Sequence, residues 1–500
     1  MSGIDIVRPV FKSRLGLILS VLGIAVGTGN IWRFPRIAAQ NGTDDGAGAF
    51  IFAWVIALFL WSIPLIIAEY AIGRAGRKGT IGAFVKLIGE KFAWMGAFIG
   101  FVATAIMFYY SVVTGWCIYY FLTTASNPLP GDVAGAMVIW DSFQGSMMPS
   151  LFHFIAIFVA GVIVINGIRA IERVNMILIP TLLLILVVSG IRAITLPGSY
   201  EGIAYLFTPD WSSLGQPTVW LEALTQNAWD TGAGWGLILT YAVYMRRNDG
   251  VVKSAFQTGI GNNMVSLWAA ITIFATVFAI LGAQQMTNPE ILDVMKTSGP
   301  ASTGLTFIWM PQLFLEIPGG RAFAIMFFLA LTFAAFSSLI SMIELATKLF
   351  VDMGISRRLA TIMICSIGFI MGLPSAMSLE FFANQDFVWG LGLMISGSFI
   401  AYCLIKYDVM EFRTRLINIS DHDIRLNRVF DFIIKYVIPV EVVILLGWWI
   451  LRSAFEFAPD SWYNPFNPYS VATCFVQWGI VMGLFLLYNR KLAVLSMKGP

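Results

Sequence analysis

The sequence predicts an all-α polytopic membrane protein of about twelve transmembrane helices, two of them unwound near mid-membrane. Three observations carry this. Apolar residues make up 58% of the 500 and charged residues only 12%, far from the balance of soluble domains. A membrane-crossing helix needs about 20 mostly apolar residues, and twelve stretches qualify: 15–38, 49–73, 94–124, 150–168, 174–195, 219–246, 253–283, 322–351, 356–373, 384–405, 430–455 and 468–490. Two of these, the first and the sixth, are broken by glycines and polar residues. In lipid every backbone group must be satisfied within the segment or within a closed barrel. The lengths and the lack of strict alternation favour helices.

The spans follow in order. In span 1, Gly23, Gly27 and Gly29 stand with Asn30 and Arg33 inside apolar sequence, the composition of a helix meant to break. Spans 2 to 5 run to residue 195 without such a cluster. Span 6 breaks again between Asn227 and Gly236 and carries an acid, Asp230, at membrane depth. Paired broken helices in corresponding halves point to a transporter's substrate site, and an odd number of spans per half inverts the second copy. The chain 1–500 then reads as one transmembrane transporter domain. It has a cytoplasmic N-terminus at 1–14, a first five-helix repeat at 15–195, a second, inverted repeat at 219–405, and two additional, peripheral helices at 430–490. The longest outer connections are 125–149 and 284–321. The second places Pro289, Pro300, Pro311 and Pro318 among short amphipathic pieces able to fold as a lid. The inner connection 406–429 is charged and reads as helical.

Charge sets the orientation. Of 31 Lys and Arg residues, 25 fall on inner loops and ends when the N-terminus is inside, including Arg8, Lys12, Arg14, Arg74, Arg77, Lys78, Arg246, Arg247, Arg357 and Arg358. Only Arg192, Lys296, Arg321 and Arg452 fall outside, with Arg33 and Arg36 in the outer part of span 1. Both termini are therefore expected in the cytoplasm, in a plasma or inner membrane. The net charge of +3 is topology, not a nucleic-acid footprint. No cleavable signal precedes span 1. Cys117, Cys365, Cys403 and Cys474 imply no disulfide or metal framework. With only His153 and His422 and no Gly-x-Ser-x-Gly, the chain does not read as an enzyme. An ion channel is a remote alternative, because no repeated filter sequence appears. No obligate protein partner is implied; the lipid bilayer and a small solute are.

Several residue groups then carry a family resemblance. Arg14 with Gly16, Ala25 to Gly27, Gly29-Asn30, Arg33 to Pro35, Asn41-Gly42 and Gly48 to Phe50 closely resemble the signature of the neurotransmitter:sodium symporters. The likeness continues through Pro64-Leu65, Glu69, Gly73-Arg74, Tyr109-Tyr110, Thr240 to Ala242, Tyr244, Ser337-Ser338 and Gln385 to Phe387. It covers spans 1 to 10, and the short connection 125–149 is similar to that of the bacterial amino-acid transporters of that family. The resemblance implies sodium-coupled symport of an amino acid by alternating access, with about two sodium ions.

Sodium is a hard cation that takes oxygen ligands, and broken helices offer unpaired carbonyls. By resemblance, the first sodium site takes Ala25, Asn30, Asp230 and Asn262, usually with the substrate carboxylate. The second takes the carbonyls of Gly23, Val26 and Ala334 with the hydroxyls of Ser337 and Ser338. Two adjacent helix serines otherwise bond local carbonyls. Asp230 departs from the family, which has Thr or Ser there and, in chloride-dependent members, uses it for chloride. The chloride-like environment comprises Trp54, Gln226, Asp230, Asn262 and Ser266, with Trp54 where a tyrosine is usual. We expect Asp230 to supply a fixed negative charge, so that chloride is not required. At an effective dielectric near 20 such a charge attracts sodium at 4 Å by roughly 4 kcal/mol. The competing role for Asp230 is to cap freed amides of the broken helix.

The substrate site implied by the resemblance comprises Ala25, Gly27, Gly29, Ile106, Tyr110, Trp229, Gly232, Trp235, Leu339 and Met342. Helix N-termini attract carboxylates. Amine-transporting relatives carry an Asp at the position of Gly27, so glycine there favours a substrate that keeps its own carboxylate. The apolar remainder favours a neutral, apolar or aromatic amino acid. An amine or osmolyte is the alternative, favoured by Asp230. Arg33, Asp386 and the lid Trp229 should form the outer gate. Arg8, Asp352 and Tyr244 should form the inner gate near Phe11, which replaces the usual Trp and implies looser inner closure. Glu69 reads as structural, holding freed amides of span 6, and Gly96 with Gly100 as close helix packing.

Overall fold

The computed structural model describes residues 10–246, 248–296 and 304–499. Arg8 of the expected inner gate, Arg247 and Pro300 lie outside them. The described residues are helical and irregular, with no strand among them. Eight helices are long and apolar enough to cross a membrane: Gly48–Gly76, Glu90–Ser126, Met148–Ile165, Ile168–Ile194, Val251–Ala283, Gly320–Asp352, Arg357–Met377 and Leu379–Tyr407. These are spans 2–5 and 7–10. Two bent pairs add spans 1 and 12: Arg14–Ala25 with Thr28–Asn41, bent by 48°, and Val471–Leu487 with Asn489–Leu495, bent by 66°. The other two expected spans fall on interrupted helix. Span 6 is split into Pro217–Asp230 and Leu237–Ala242. Span 11 runs from Arg428–Phe432 through a π-helical turn at Ile433–Val437 into Ile438–Arg452.

The two mid-span breaks have different local causes. In span 1 the first helix stops at Ala25, and Gly27 adopts extended backbone before the second helix starts at Thr28. The break in span 6 is a run of alternating glycines. Gly232, Gly234 and Gly236 have φ of 68°, 89° and 76°, a left-handed region that only glycine enters cheaply. Freed amides there need acceptors. Glu69 of span 2 supplies them, with Oε1 accepting from Gly234 N at 2.7 Å and Oε2 from Leu239 N at 3.0 Å. Its buried carboxylate is structural, as expected. Thr231 Oγ1 donates to the Asn227 carbonyl and Ser62 Oγ, fastening the turn to span 2.

The two connections differ in how much helix they carry. The 284–321 segment forms Asn288–Lys296 and a short helical stretch over Leu305–Leu315. It packs on the outer half of span 1, where Gln40 Nε2 donates to the Lys296 carbonyl at 2.9 Å and Trp32 meets Phe307 at 5.9 Å. The 406–429 segment is helical only over Val409–Phe412 and Arg413–Ile417. Span 3 approaches closely at Gly96, whose carbonyl accepts from Thr80 Oγ1 at 2.6 Å.

Candidate functional site

A cavity of about 690 Å³ lies between spans 1, 3, 6, 8 and 10 and extends to the face that the Lys and Arg distribution assigns to the outside. Its size suits a small-molecule site. Of the expected substrate residues, Ala25, Gly27, Gly29 and Tyr110 line it on one side, and Trp229, Gly232, Trp235 and Met342 on the other. Ile106 and Leu339 do not reach the wall; both are fully buried in the packing behind it. Ile24, Thr28, Val113 and Phe382 line it without having been singled out in the sequence. They are small or apolar residues whose spacing is ordinary for helix packing, so nothing in the sequence marked them. Tyr110 lies at the break in span 1, where its hydroxyl is 3.4 Å from Thr28 N and 3.3 Å from Thr28 Oγ1. A helix N-terminus and a phenol therefore meet on one wall, a combination suited to a carboxylate.

Beside this wall, oxygens converge. Gly27 N donates to Asn30 Oδ1 at 2.8 Å. A backbone amide cannot reverse, so this bond fixes the Asn30 amide with its nitrogen away from Gly27. That nitrogen donates to Asn262 Oδ1 at 2.8 Å and to Ser266 Oγ at 2.7 Å. The Asn262 oxygen is thereby held 3.1 Å from the Ala25 carbonyl oxygen and 3.2 Å from the Asp230 carbonyl oxygen. Turning Asn262 over satisfies both carbonyls but sets its nitrogen against that of Asn30. With Gly27 as the anchor, three acceptors face one another, a set that a hard cation satisfies. Asn30 Oδ1 thus accepts from Gly27 N while the amide nitrogen orients Asn262.

The Asp230 side chain sits in the expected chloride-like environment. Gln226 Nε2 donates to Oδ1 at 2.7 Å and Ser266 Oγ to Oδ2 at 3.3 Å. It accepts from side chains, and amide capping falls to Glu69 instead. Trp54 takes no part: its indole N–H makes no hydrogen bond among the described residues, and its carbonyl accepts from Asn227 Nδ2. A second polar cluster joins spans 1 and 8. Ser338 Oγ donates to the Gly23 carbonyl at 3.3 Å and the Ile24 carbonyl at 3.4 Å. Ser337 Oγ makes the local bond, to the Ala334 carbonyl at 2.9 Å. Val26 ends the first half-helix, its N–H donating to the Leu22 carbonyl at 2.6 Å.

The gate residues are only partly brought together. Arg33, Asp386 and Trp229 all line the cavity. The expected Arg33–Asp386 ion pair is not formed among the described residues; the Arg33 guanidinium lies over the Trp229 ring at 4.8 Å from its centroid. On the other side Phe11 is buried, its N–H donates to the Tyr244 carbonyl at 3.1 Å, and its ring meets Tyr241 and Tyr244 edge-on. Phe11 thus packs between the two tyrosines in the place where the family usually has Trp. Asp352 is engaged by Lys348 Nζ at 2.5 Å, Lys78 Nζ at 3.9 Å and Gly79 N at 2.6 Å. Tyr244 donates to Glu344 at 2.6 Å, and Glu344 pairs with Arg357. Asp352 and Tyr244 are expected inner-gate residues, whereas Lys348, Glu344 and Arg357 join them only in the folded chain. The i,i+4 spacing of Lys348 and Asp352 and the lone acid Glu344 in span 8 were the available signals.

The comparisons with known proteins agree with this geometry. The profile of the Sodium:neurotransmitter symporter family matches residues 8–144 and 139–497. An uncharacterized sodium-dependent transporter of Methanocaldococcus jannaschii is 32% identical over 379 residues, 73% of this chain and 74% of the relative. The sodium-dependent neutral amino acid transporter B(0)AT3 of Rattus norvegicus is 28% identical, covering 70% of this chain and 68% of the relative. Among solved structures, MhsT in complex with L-phenylalanine matches with a TM-score of 0.75 and 28% identity, over 88% of this chain and 99% of that one. Matched along nearly its whole length, this chain belongs to the sodium:neurotransmitter symporter family and is a sodium-coupled membrane transporter, not an enzyme.

Proposed function

We propose that the protein carries a neutral amino acid with an apolar or aromatic side chain together with sodium, by alternating access, without requiring chloride. The observation that carries this is the placement of Asp230, whose carboxylate rests between Gln226 and Ser266 while its carbonyl joins the oxygens of Ala25 and Asn262. A fixed anion beside a cation site makes a mobile one redundant, and two anions there would repel. In this reading the first sodium is held by Ala25, Asp230 and Asn262, with Asn30 setting the Asn262 amide. The second is held by Gly23, Val26, Ala334, Ser337 and Ser338.

The substrate carboxylate rests against the span 1 break and Tyr110, where Gly27 leaves room for it. Its side chain lies toward Trp229, Trp235 and Met342. The likeness to MhsT, whose solved complex holds L-phenylalanine, supports an aromatic or apolar occupant. Arg33 and Asp386 close above Trp229 once the solute is bound, and the two five-span groups rock against each other. We place both termini in the cytoplasm on the Lys and Arg distribution. The test is uptake into proteoliposomes of a radiolabelled panel of neutral amino acids, amines and betaines under an inward sodium gradient. Uptake of apolar or aromatic amino acids that vanishes in potassium supports the reading. Uptake of amines alone, or solute-independent currents, would overturn it.

A further inference from the structure

Trp229 rests against span 10 at a residue with no side chain. A Cβ built on Gly390 would fall 2.9 Å from the indole Cη2, 3.3 Å from Cε2 and closer still to Cζ2 of Trp229. Real Cβ contacts do not approach so closely, so with any other residue at 390 the indole must leave this seat. Its opposite surroundings are also defined. The Arg33 guanidinium covers the ring at 4.8 Å from its centroid, and Trp235 meets it edge-on at 5.9 Å. Gly390 is buried in the middle of Leu379–Tyr407, four residues after Asp386, where a helix needs no glycine for its backbone.

We infer that Gly390 is a positioning residue: a notch in span 10 that parks the Trp229 indole off the substrate space and so sets how large a side chain fits. This rests on the reading of Trp229 as the lid of an amino-acid site. An indole displaced from the notch has span 10 behind it and the open cavity in front, so it moves over the pocket. The two closest atoms, Cζ2 and Cη2, belong to the outer part of the indole six-membered ring, beyond the reach of a phenylalanine side chain; only the fusion carbon Cε2, at 3.3 Å, lies nearer the backbone. A shorter ring at 229 should therefore tolerate a methyl group at 390.

The experiment compares wild type, Gly390→Ala, Trp229→Phe and the double variant in proteoliposomes. It uses sodium-driven uptake of tritiated L-phenylalanine and L-alanine. The expected result for Gly390→Ala is a KM for L-phenylalanine raised at least tenfold while that for L-alanine changes less than twofold. The double variant should return the L-phenylalanine value to within threefold of Trp229→Phe alone. If Gly390→Ala cannot be recovered folded but the double variant can, the steric account also stands. Equal changes for both substrates, no rescue in the double variant, or a double variant that also fails to fold would overturn it. Wild type taking up neither amino acid would instead remove the substrate reading, and this inference with it.

Discussion

At the scale of single residues, we propose that Asp230 sets the ion requirement. Its carboxyl group accepts from two neutral side chains, Gln226 and Ser266. Asp230→Asn keeps the shape and removes the charge. We expect its sodium half-saturation concentration for uptake to rise at least about tenfold, equivalent to roughly 1.4 kcal/mol. Asp230→Ser restores the residue type of chloride-using relatives and should make uptake depend on chloride, measured by exchanging chloride for gluconate. Much of this site was legible in the sequence, because a break in an apolar span must be written in glycine and polar residues. Gly27, Asn30 and Asp230 are visible as exceptions to their surroundings, whereas Asn262, next to Asn263, is singled out only by the family resemblance. The orientation of Asn30 was not, since it follows from one backbone amide, Gly27 N, whose position exists only in the folded chain.

At the scale of elements, the span 6 break is held by a glycine run and one acid. Gly234 has φ of 89°, and a Cβ there would meet the Cα of Gly397 in span 10 at 2.9 Å. Gly234→Ala should therefore destabilise the protein by more than the roughly 1–2 kcal/mol of left-handed strain alone. A lowered melting midpoint in detergent, with poor recovery of folded protein, is the expected readout. Glu69→Gln keeps one acceptor oxygen but gives up charge-assisted bonding, worth about 1.5–3 kcal/mol per bond. It should lower the same midpoint in sodium-free and sodium-containing buffer alike, as befits a residue that holds backbone, not ions. Ten of the twelve expected spans are helices that pass as membrane-crossing. Span 6 resists that description because its apolar run is cut by the glycine turn between Asp230 and Leu237.

At the scale of the molecule, the conformation is open on the side of Arg33 and Asp386 and sealed on the side of Phe11. The seal includes a network that the sequence did not announce, Tyr244 on Glu344 with Arg357. Tyr244 lies 100 residues from Glu344 in the chain, so the bond between them exists only in the folded protein. Tyr244→Phe removes the hydroxyl bond to span 8. We expect a cysteine placed at Ser341, now buried against Tyr241, to react several times faster with a maleimide in that background. The most direct test of this account is sodium-driven uptake of L-phenylalanine by the wild-type protein in proteoliposomes, with all chloride replaced by gluconate. The account predicts uptake at an undiminished rate. Uptake that disappears without chloride and returns on its addition would contradict it.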